Sequence, residues 1–379
     1  MQKRQLQIVL STSMLLPDRA GLFRGVRRWL DRDPGLRVYV YPPLNEVQAA
    51  SGRCDGFMTD LGGSTARVLS NARVPLVSLA DFNNEENQYI VAFDERAIGR
   101  VAADHFLDQG HWQFAYVAYE GSTAGDGWQS QREEGFAQRL KEVGRSHATL
   151  NVEYLPRDPR SPHMPSRHDP VRQRAVAAFL KAQPKPLAVF AGDDALGVLV
   201  ADACARGRLN VPADVAVLGV NNDPLCELAG PQLSSIAVPG EQVGYEATAT
   251  LAALLRGARD VPRRRVFPPL GLVVRPSSDA LQVRDPAVAK ALRYIRDRQH
   301  EAVGVKELTA HVAVSRRSLE RRFRDAVGRT PGEEIQRLRE GLWRRLLVDT
   351  DLSMAEIAER CGFGTPASFA TTIRRVEGV

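Results

Sequence analysis

The chain has 379 residues, 25% of them charged, and a formal net charge of +6 at pH 7. This length suffices for two to three domains with cores of their own. No segment approaches the length of a membrane helix, and the polar residues around the apolar run 8–10 favour a first strand over a signal peptide. The cysteines show neither a CxxC motif nor paired spacing, which argues against a zinc site or a disulfide framework; they are Cys54, Cys204, Cys226 and Cys361. We therefore expect a cytoplasmic protein with no cofactor and no metal.

Residues 1–275 alternate short apolar strands with helical segments, a pattern that predicts a parallel α/β domain. The predicted strands are 6–10, 37–41, 56–59, 76–79, 113–118, 188–191 and 215–220. The predicted helices include 22–30, 97–109, 132–143, 171–182 and 197–206. The Pro- and Arg-rich stretch 156–170 is predicted to be a surface loop. We interpret its His163 and His168 as solvated residues rather than metal ligands.

Residues 305–328 have the pattern of a helix-turn-helix motif. A short helix is predicted at 305–312 and a turn at 313–314, after which Ser315 is the N-cap of a helix that ends at Val327. The inward face of that second helix carries Leu319, Phe323 and Val327.

A second copy of the pattern follows fifty residues later. Leu319, Phe323, Arg324 and Gly328 correspond to Phe369, Ile373, Arg374 and Gly378. Ser353 and Glu356 have the spacing of a capping box, and Thr365 is a predicted N-cap followed by Pro366 at the first helical position. A continuous helix from Pro331 to about Leu347 is predicted to join the two copies.

Five arginines surround the inward residues of the first capped helix. Arginine binds guanine bidentately and neutralises phosphates, so this face suits the major groove of DNA. From Asp285 onward there are 18 Lys and Arg against 14 Asp and Glu, so +4 of the net charge of +6 lies in this region. A solvated charged helix is the alternative, which the paired copies disfavour. The predicted DNA-binding residues are Ser315, Arg316, Arg317, Ser318, Arg321, Arg324, Thr365, Pro366 and Ser368.

Residues from Asp285 to the end resemble the DNA-binding domain of AraC/XylS-type transcription activators. The resemblance is carried by SRRSLERRF at 315–323, IAERCGF at 357–363 and SF at 368–369. That family continues past the final Gly-Val into a proline and a closing helix, which this chain lacks. We therefore expect Phe369 and Ile373 to lack part of their cover and the last helix to fray.

The preceding region resembles the sensor domains of LacI-type repressors, which share the periplasmic sugar-binding fold. The phrases, in family order, are DERAIG at 94–99, GH at 110–111, REEGF at 132–136, DD at 193–194, VPADVAVLG at 211–219 and LVVR at 272–275. A LacI-like sensor joined to an AraC-like tail is the architecture of xylose-responsive activators, which LCEL at 225–228 and LSSI at 233–236 also resemble. This implies a two-lobed α/β sensor of parallel sheets (1–276), a linker (277–284) and an all-α domain with two helix-turn-helix motifs (285–379).

The resemblance also implies an effector site in the crevice between the lobes. Arg132 matches the ligand-contacting arginine of the LacI type, and Asp193 and Asp194 match its acidic or amide pair. Asn221 stands where aspartate is usual, and Trp128 could stack on a sugar ring. The alternatives are that Asp194 caps a helix, Trp128 belongs to the core and Asn221 satisfies a turn.

The sequence carries no signature of an enzyme. Thr123 occupies the serine position of the segment Gly121–Gly125, so this segment is not a nucleophile elbow, and Walker A, HExxH and GxGxxG motifs are absent. A sugar-binding protein without regulatory DNA binding remains the alternative. The expected partners are double-stranded DNA, a pentose such as xylose, a second copy of the chain and, for an activator, RNA polymerase, with no membrane.

Overall fold

The computed structural model describes residues 5–11, 19–41, 54–59, 74–81, 89–120, 127–153, 170–279, 283, 285–298, 301, 303–349, 352–363 and 365–377. The segment Gly121–Gly125, the histidines His163 and His168 and most of the predicted loop 156–170 lie outside these residues. The chain folds into two compact units. The first comprises Met1–Phe106 and Trp112–Ala280, and the second comprises Leu107–His111 and Leu281–Val379.

The first unit contains two six-stranded sheets. The strands are β1 (Leu6–Ser11), β2 (Leu36–Tyr41), β3 (Gly56–Thr59), β4 (Leu76–Ser78), β5 (Tyr89–Phe93), β6 (Phe114–Tyr119), β7 (Ala148–Val152), β8 (Leu187–Ala191), β9 (Val215–Asn221), β10 (Ser234–Ala237), β11 (Arg264–Phe267) and β12 (Gly271–Val273). The first sheet has the order β11-β5-β4-β3-β1-β2, and the second has the order β12-β10-β9-β8-β6-β7. Every pairing among the described strands is parallel except that of β10 with β12. The prediction of two parallel α/β lobes is confirmed.

Helices connect and cover these sheets. They are α1 (Arg19–Leu30), α2 (Glu95–Asp108), α3 (Trp128–Glu142), α4 (Pro170–Ala182), α5 (Asp194–Gly207), α6 (Leu225–Leu228) and α7 (Gly240–Leu255). In parallel α/β sheets, ligands bind beyond the carboxyl ends of the strands. In the second sheet these ends are Tyr119 of β6, Ala191 of β8 and Asn221 of β9, three strands that lie side by side.

Two glycines allow α2 and α3 to cross with their backbones in contact. A Cβ on Gly99 would lie 2.0 Å from the carbonyl oxygen of Arg132, and a Cβ on Gly135 would lie 2.1 Å from that of Arg96. Any larger side chain would separate the helices. The crossing therefore fixes the first turns of α3, where Trp128 and Arg132 lie, against the start of α2.

The second unit is helical, as predicted. Its helices are α8 (Pro286–Asp297), α9 (Val305–Val312), α10 (Arg316–Val327), α11 (Pro331–Asp349), α12 (Met354–Arg360) and α13 (Pro366–Glu377). One core forms around the first helix-turn-helix motif and a second around the other. The long helix α11 contributes Ile335 to the first core and Leu342 and Trp343 to the second.

Hydrogen-bonding side chains cap the N-termini of α10, α12 and α13 at the residues predicted from the sequence. The Ser315 side chain accepts a hydrogen bond from the Ser318 amide, and Gly328 ends α10 with a φ of 77°. Ser353 and Glu356 form the complete capping box at the start of α12. Thr365 Oγ1 accepts from the Ser368 amide at 3.2 Å. The predicted motif boundaries are therefore confirmed.

The expectation that Phe369 lacks cover is wrong. Its side chain is fully buried, with the Trp343 ring at 6.0 Å and the Phe363 ring at 5.0 Å between centroids. The cover comes from Trp343 of α11 and from Phe363 in the turn before α13. Ile373 is partly buried in the same cluster, and Gly378 lies outside the described residues.

Within the part of the chain that the structure describes, no helix is both long and apolar enough to span a membrane.

Candidate effector crevice and DNA-reading helices

Arg132 is the most firmly held polar residue of the candidate crevice. It lies in the first turns of α3, is 3% exposed, and donates from Nε to Glu95 Oε2 at 2.5 Å. Its Nη1 donates to the carbonyl oxygen of Gly192 at 2.5 Å. A buried guanidinium with a carboxylate partner is charge-compensated and held in one orientation. Glu95 was not among the predicted site residues, although it lies within the DERAIG phrase.

Trp128 lies against Arg132. Its ring is 4.4 Å from the guanidinium carbon, within cation–π distance, and its side chain is only partly buried. The structure therefore brings together the two predicted effector residues of α3. The alternative interpretation, in which Trp128 belongs to the core, does not agree with this partial exposure.

Asp193 is the residue that caps a helix. It follows Gly192 after β8, is 4% exposed, and its Oδ1 accepts a hydrogen bond from the Leu196 amide at 2.8 Å as the N-cap of α5. The Tyr119 hydroxyl, at the end of β6, lies 3.5 Å from the same oxygen. Asp193 thus stands at the carboxyl edge of the second sheet beside the carbonyl group that Arg132 contacts.

Asp194 is directed into the protein and supports the loop after β9. Its Oδ2 accepts from the Asp223 amide at 2.8 Å, and Oδ1 lies 2.6 Å from Ser235 Oγ. The residue is 1% exposed. Burial raises the pKa of its carboxyl group to about 7, against the lowering effect of the bonds to Asp223 and Ser235. Through these contacts Asp194 joins the start of α5 to the strand β10 and to the loop after β9.

Asn221 has an uncommon backbone conformation for a residue other than glycine. It ends β9 with a φ of 110°, and Asn222 follows with a φ of 53°. Positive φ is uncommon for residues other than glycine and often marks functional sites. Asn222 is held by Arg275 Nη2 at 2.9 Å and by Ser235 Oγ. The buried Oδ1 of Asn221 has no hydrogen-bond partner among the described residues, so it is available to a donor.

The outward face of α10 carries the predicted DNA-reading arginines. Arg316, Arg317, Arg321 and Arg324 are exposed. Arg316 Nε is 2.8 Å from Glu320 one turn along, and Arg322, which was not predicted to bind DNA, lies 3.4 Å from Asp285. In the second motif Thr365, Pro366 and Ser368 are exposed at the start of α13.

The two motifs are joined by the 19 residues of α11. At 1.5 Å per residue this helix is about 28 Å long, comparable with the ~34 Å repeat of the major groove. The hydroxyl groups of Ser315 and Thr365 already cap their helices. The side chains of the four outward arginines of α10 are exposed to solvent.

Comparisons with known proteins agree with both halves of this description. Residues 103–278 match a periplasmic binding protein-like domain, and residues 308–379 match a helix-turn-helix domain. The chain is a DNA-binding transcription regulator, and not an enzyme, that joins a LacI-like, sugar-binding sensor domain to an AraC-type helix-turn-helix domain.

Its relatives include the xylose operon regulatory proteins. The Haemophilus influenzae protein is 25% identical over 344 residues, which cover 89% of this chain and 85% of the relative. The Escherichia coli K12 protein is 28% identical over 329 residues, 85% of this chain and 81% of the relative. The alignment with a solved xylose-binding transcription activator covers 100% of this chain and 97% of the activator's chain, with a TM-score of 0.62 and 24% identity. A LacI family regulator from Arthrobacter, solved with lactose, covers 73% of this chain with a TM-score of 0.59 and 26% identity.

Proposed function

We propose that this protein activates transcription in response to a pentose, with xylose as its effector. The observation that carries the proposal is the buried Arg132, compensated by Glu95 and stacked on Trp128, at the carboxyl edge of the second sheet. A fixed guanidinium beside an aromatic face matches the hydroxyl groups and the apolar face of a sugar. The xylose-binding activator and the xylose operon regulators support the choice of sugar.

The effector contacts are assigned as follows. Arg132 donates to sugar hydroxyl groups, Trp128 covers the ring, and Asp193 and Asn221 accept from hydroxyl groups. The Oδ1 of Asn221, unpartnered among the described residues, supports this assignment. Asp194, which was predicted to contact the effector, is better assigned to holding the loop after β9, because protein donors already reach both of its oxygens.

We propose a sensor domain and a DNA-binding domain whose boundary lies near residue 280. The sequence alone predicted the sensor at 1–276, the linker at 277–284 and the DNA-binding domain at 285–379. However, Ser277 and Ser278 are fully buried, with Ser277 Oγ donating to the Val217 carbonyl oxygen at 2.7 Å. We therefore assign these two serines to the sensor.

The DNA-binding residues proposed are the exposed arginines of α10 together with the start of α13. A homodimer would place two such domains on adjacent half-sites, and an activator would contact RNA polymerase. The protein would act in the cytoplasm, where its DNA target lies. Effector binding changes DNA binding only if the sugar has different affinities for the two DNA-binding states.

Calorimetry and gel shifts on the full chain test this function. Xylose, arabinose, ribose and glucose are titrated, and DNA from upstream of the chain's own gene is then shifted with and without each sugar. We expect xylose to bind at least ten times more tightly than the other three and to change the DNA affinity. DNA binding that no sugar alters would contradict the proposal, and sugar binding without any DNA shift would favour the sugar-binding protein.

A further inference from the structure

Arg172 is a buried arginine whose charge no described carboxylate neutralises. Its side chain lies in the first turn of α4 and the residue is 9% exposed. Within the described part of the chain its Nε has no hydrogen-bond partner, and the ion pairs found there do not include it. The guanidinium carbon of Arg172 lies 5.8 Å from the centroid of the Tyr119 ring.

The position of Arg172 links it to the effector crevice. Tyr119 ends β6 and approaches Asp193 Oδ1 through its hydroxyl group. Arg172 therefore lies at the carboxyl edge of the second sheet, near the Tyr119 ring. The neighbouring Gln173 is 6% exposed, and its Nε2 also lacks a partner among the residues described. Two adjacent residues thus hold buried donors for which the described chain supplies no acceptor.

Arg132 and Arg172 differ in their surroundings. Arg132 has the Glu95 carboxylate at 2.5 Å, so a neutral sugar can bind it without leaving a net charge buried. Arg172 has no such partner in the described ranges, and an unpaired buried cation is strongly unfavourable unless a ligand supplies the anion. Charge-assisted bonds from a guanidinium to a carboxylate are the strongest available to it.

We propose that Arg172 is a further effector-binding residue and that it takes the carboxylate of a sugar acid, with Gln173 donating beside it. The crevice then binds a pentonic acid more tightly than the neutral pentose. This inference rests on the proposed function in one respect, namely that the crevice binds a sugar at all.

Calorimetry on the full chain with xylose, xylonate and acetate tests the inference. In the native protein we expect xylonate to bind at least ten times more tightly than xylose, with no detectable binding of acetate. In Arg172→Gln we expect this advantage to disappear, so that xylonate binds no more tightly than xylose. The matched control is Arg174→Gln, because Arg174 is exposed on the same helix, and it should retain the preference.

Thermal unfolding without ligand separates a binding role from a structural one. Because Arg172→Gln removes an uncompensated buried charge, its Tm should equal or exceed that of the native protein, and xylonate should no longer raise it. Xylose binding without a preference for xylonate would overturn the inference and leave the proposed function intact. Binding of neither sugar would overturn both. An unfolded or strongly destabilised Arg172→Gln would show a structural role and also overturn the inference.

Discussion

Arg132 and Glu95 form a buried ion pair between α3 and α2, with 2.5 Å between Nε and Oε2 and with both residues less than 10% exposed. Replacing one partner of such a pair leaves the other charge buried without compensation. The residue proposed to orient the effector therefore also holds two helices together. The proposed role thus predicts that sugar binding and folding stability are linked at Arg132.

The first prediction separates these two roles. Arg132→Ala should abolish sugar binding and also lower the free energy of unfolding by about 3–5 kcal/mol, because Glu95 is left unpaired. Adding Glu95→Gln should recover much of the stability without restoring binding. Calorimetry and urea unfolding of both variants check this. A stable Arg132→Ala protein with native sugar affinity would remove Arg132 from the site.

Burial explains only part of how far the sequence predicted the strands, because the interior strands β5 and β10 were missed as well as the edge strands β7, β11 and β12. The interior strand β8 is buried throughout and is apolar along its length, whereas the missed strand β7, at a sheet edge, alternates partly buried with exposed residues and is buried only at Val152. The missed strand β11 is also at an edge and begins with two arginines. Such strands obtain their stability from a neighbour rather than from their own apolar content.

The helix-turn-helix boundaries were predictable because caps are local. Ser315 and Gly328 begin and end α10 through contacts within a few residues. By contrast, Glu95 and Arg172 could not be assigned roles from the sequence. The Glu95 contact depends on the crossing of α2 and α3, and the burial of Arg172 depends on how α4 packs over Tyr119.

The second prediction concerns Asp194 and pH. Its folded-state pKa of about 7 exceeds the ordinary value of 3.8, so the folded protein binds the proton more tightly than the unfolded chain. The contribution of Asp194 to stability is therefore fully present below about pH 4 and is lost as the pH rises through 7. The slope within this window is at most about 1.4 kcal/mol per pH unit.

Asp194→Asn tests this dependence. An asparagine can keep both contacts, since its amide nitrogen can donate to Ser235 Oγ while its oxygen accepts from the Asp223 amide. We expect the variant to be more stable than the native protein at pH 8, by an amount that shrinks as the pH falls and vanishes near pH 4, as measured by urea unfolding. The control is Asp202→Asn, an exposed position on α5. Equal pH profiles for the native protein and Asp194→Asn would contradict the assignment.

The third prediction divides the arginines of α10 by role. Arg317 lies in the first turn and is exposed, so Arg317→Ala should weaken specific DNA binding by about 1–3 kcal/mol and relax one base position. Arg316→Ala should have a similar but smaller effect on DNA affinity, because Arg316 gives up its contact with Glu320 when it binds DNA.

Arg324 lies two turns further along and should contact phosphate. Arg324→Ala should lower affinity for all sequences alike and reduce the slope of log affinity against log salt by about one. Fluorescence anisotropy on operator and random DNA over a salt series distinguishes the two roles. Arg293→Ala, at an exposed position on α8, serves as the control. Identical salt slopes and base preferences in all these variants would rule out the division.

The last prediction concerns the apolar core of the second helix-turn-helix motif. Phe369 is as fully buried as Phe323 in the first motif, and it packs on Trp343 and Phe363. Because each substitution would empty a closed apolar site, Phe369→Ala and Phe323→Ala should each destabilise the DNA-binding domain by about 3–5 kcal/mol. Hydrogen exchange measured on the full chain should then show that the amides of residues 369–373 are protected about as strongly as those of residues 319–323. Rapid exchange confined to α13, with little loss of stability in Phe369→Ala, would show instead that the first motif alone holds its structure firmly.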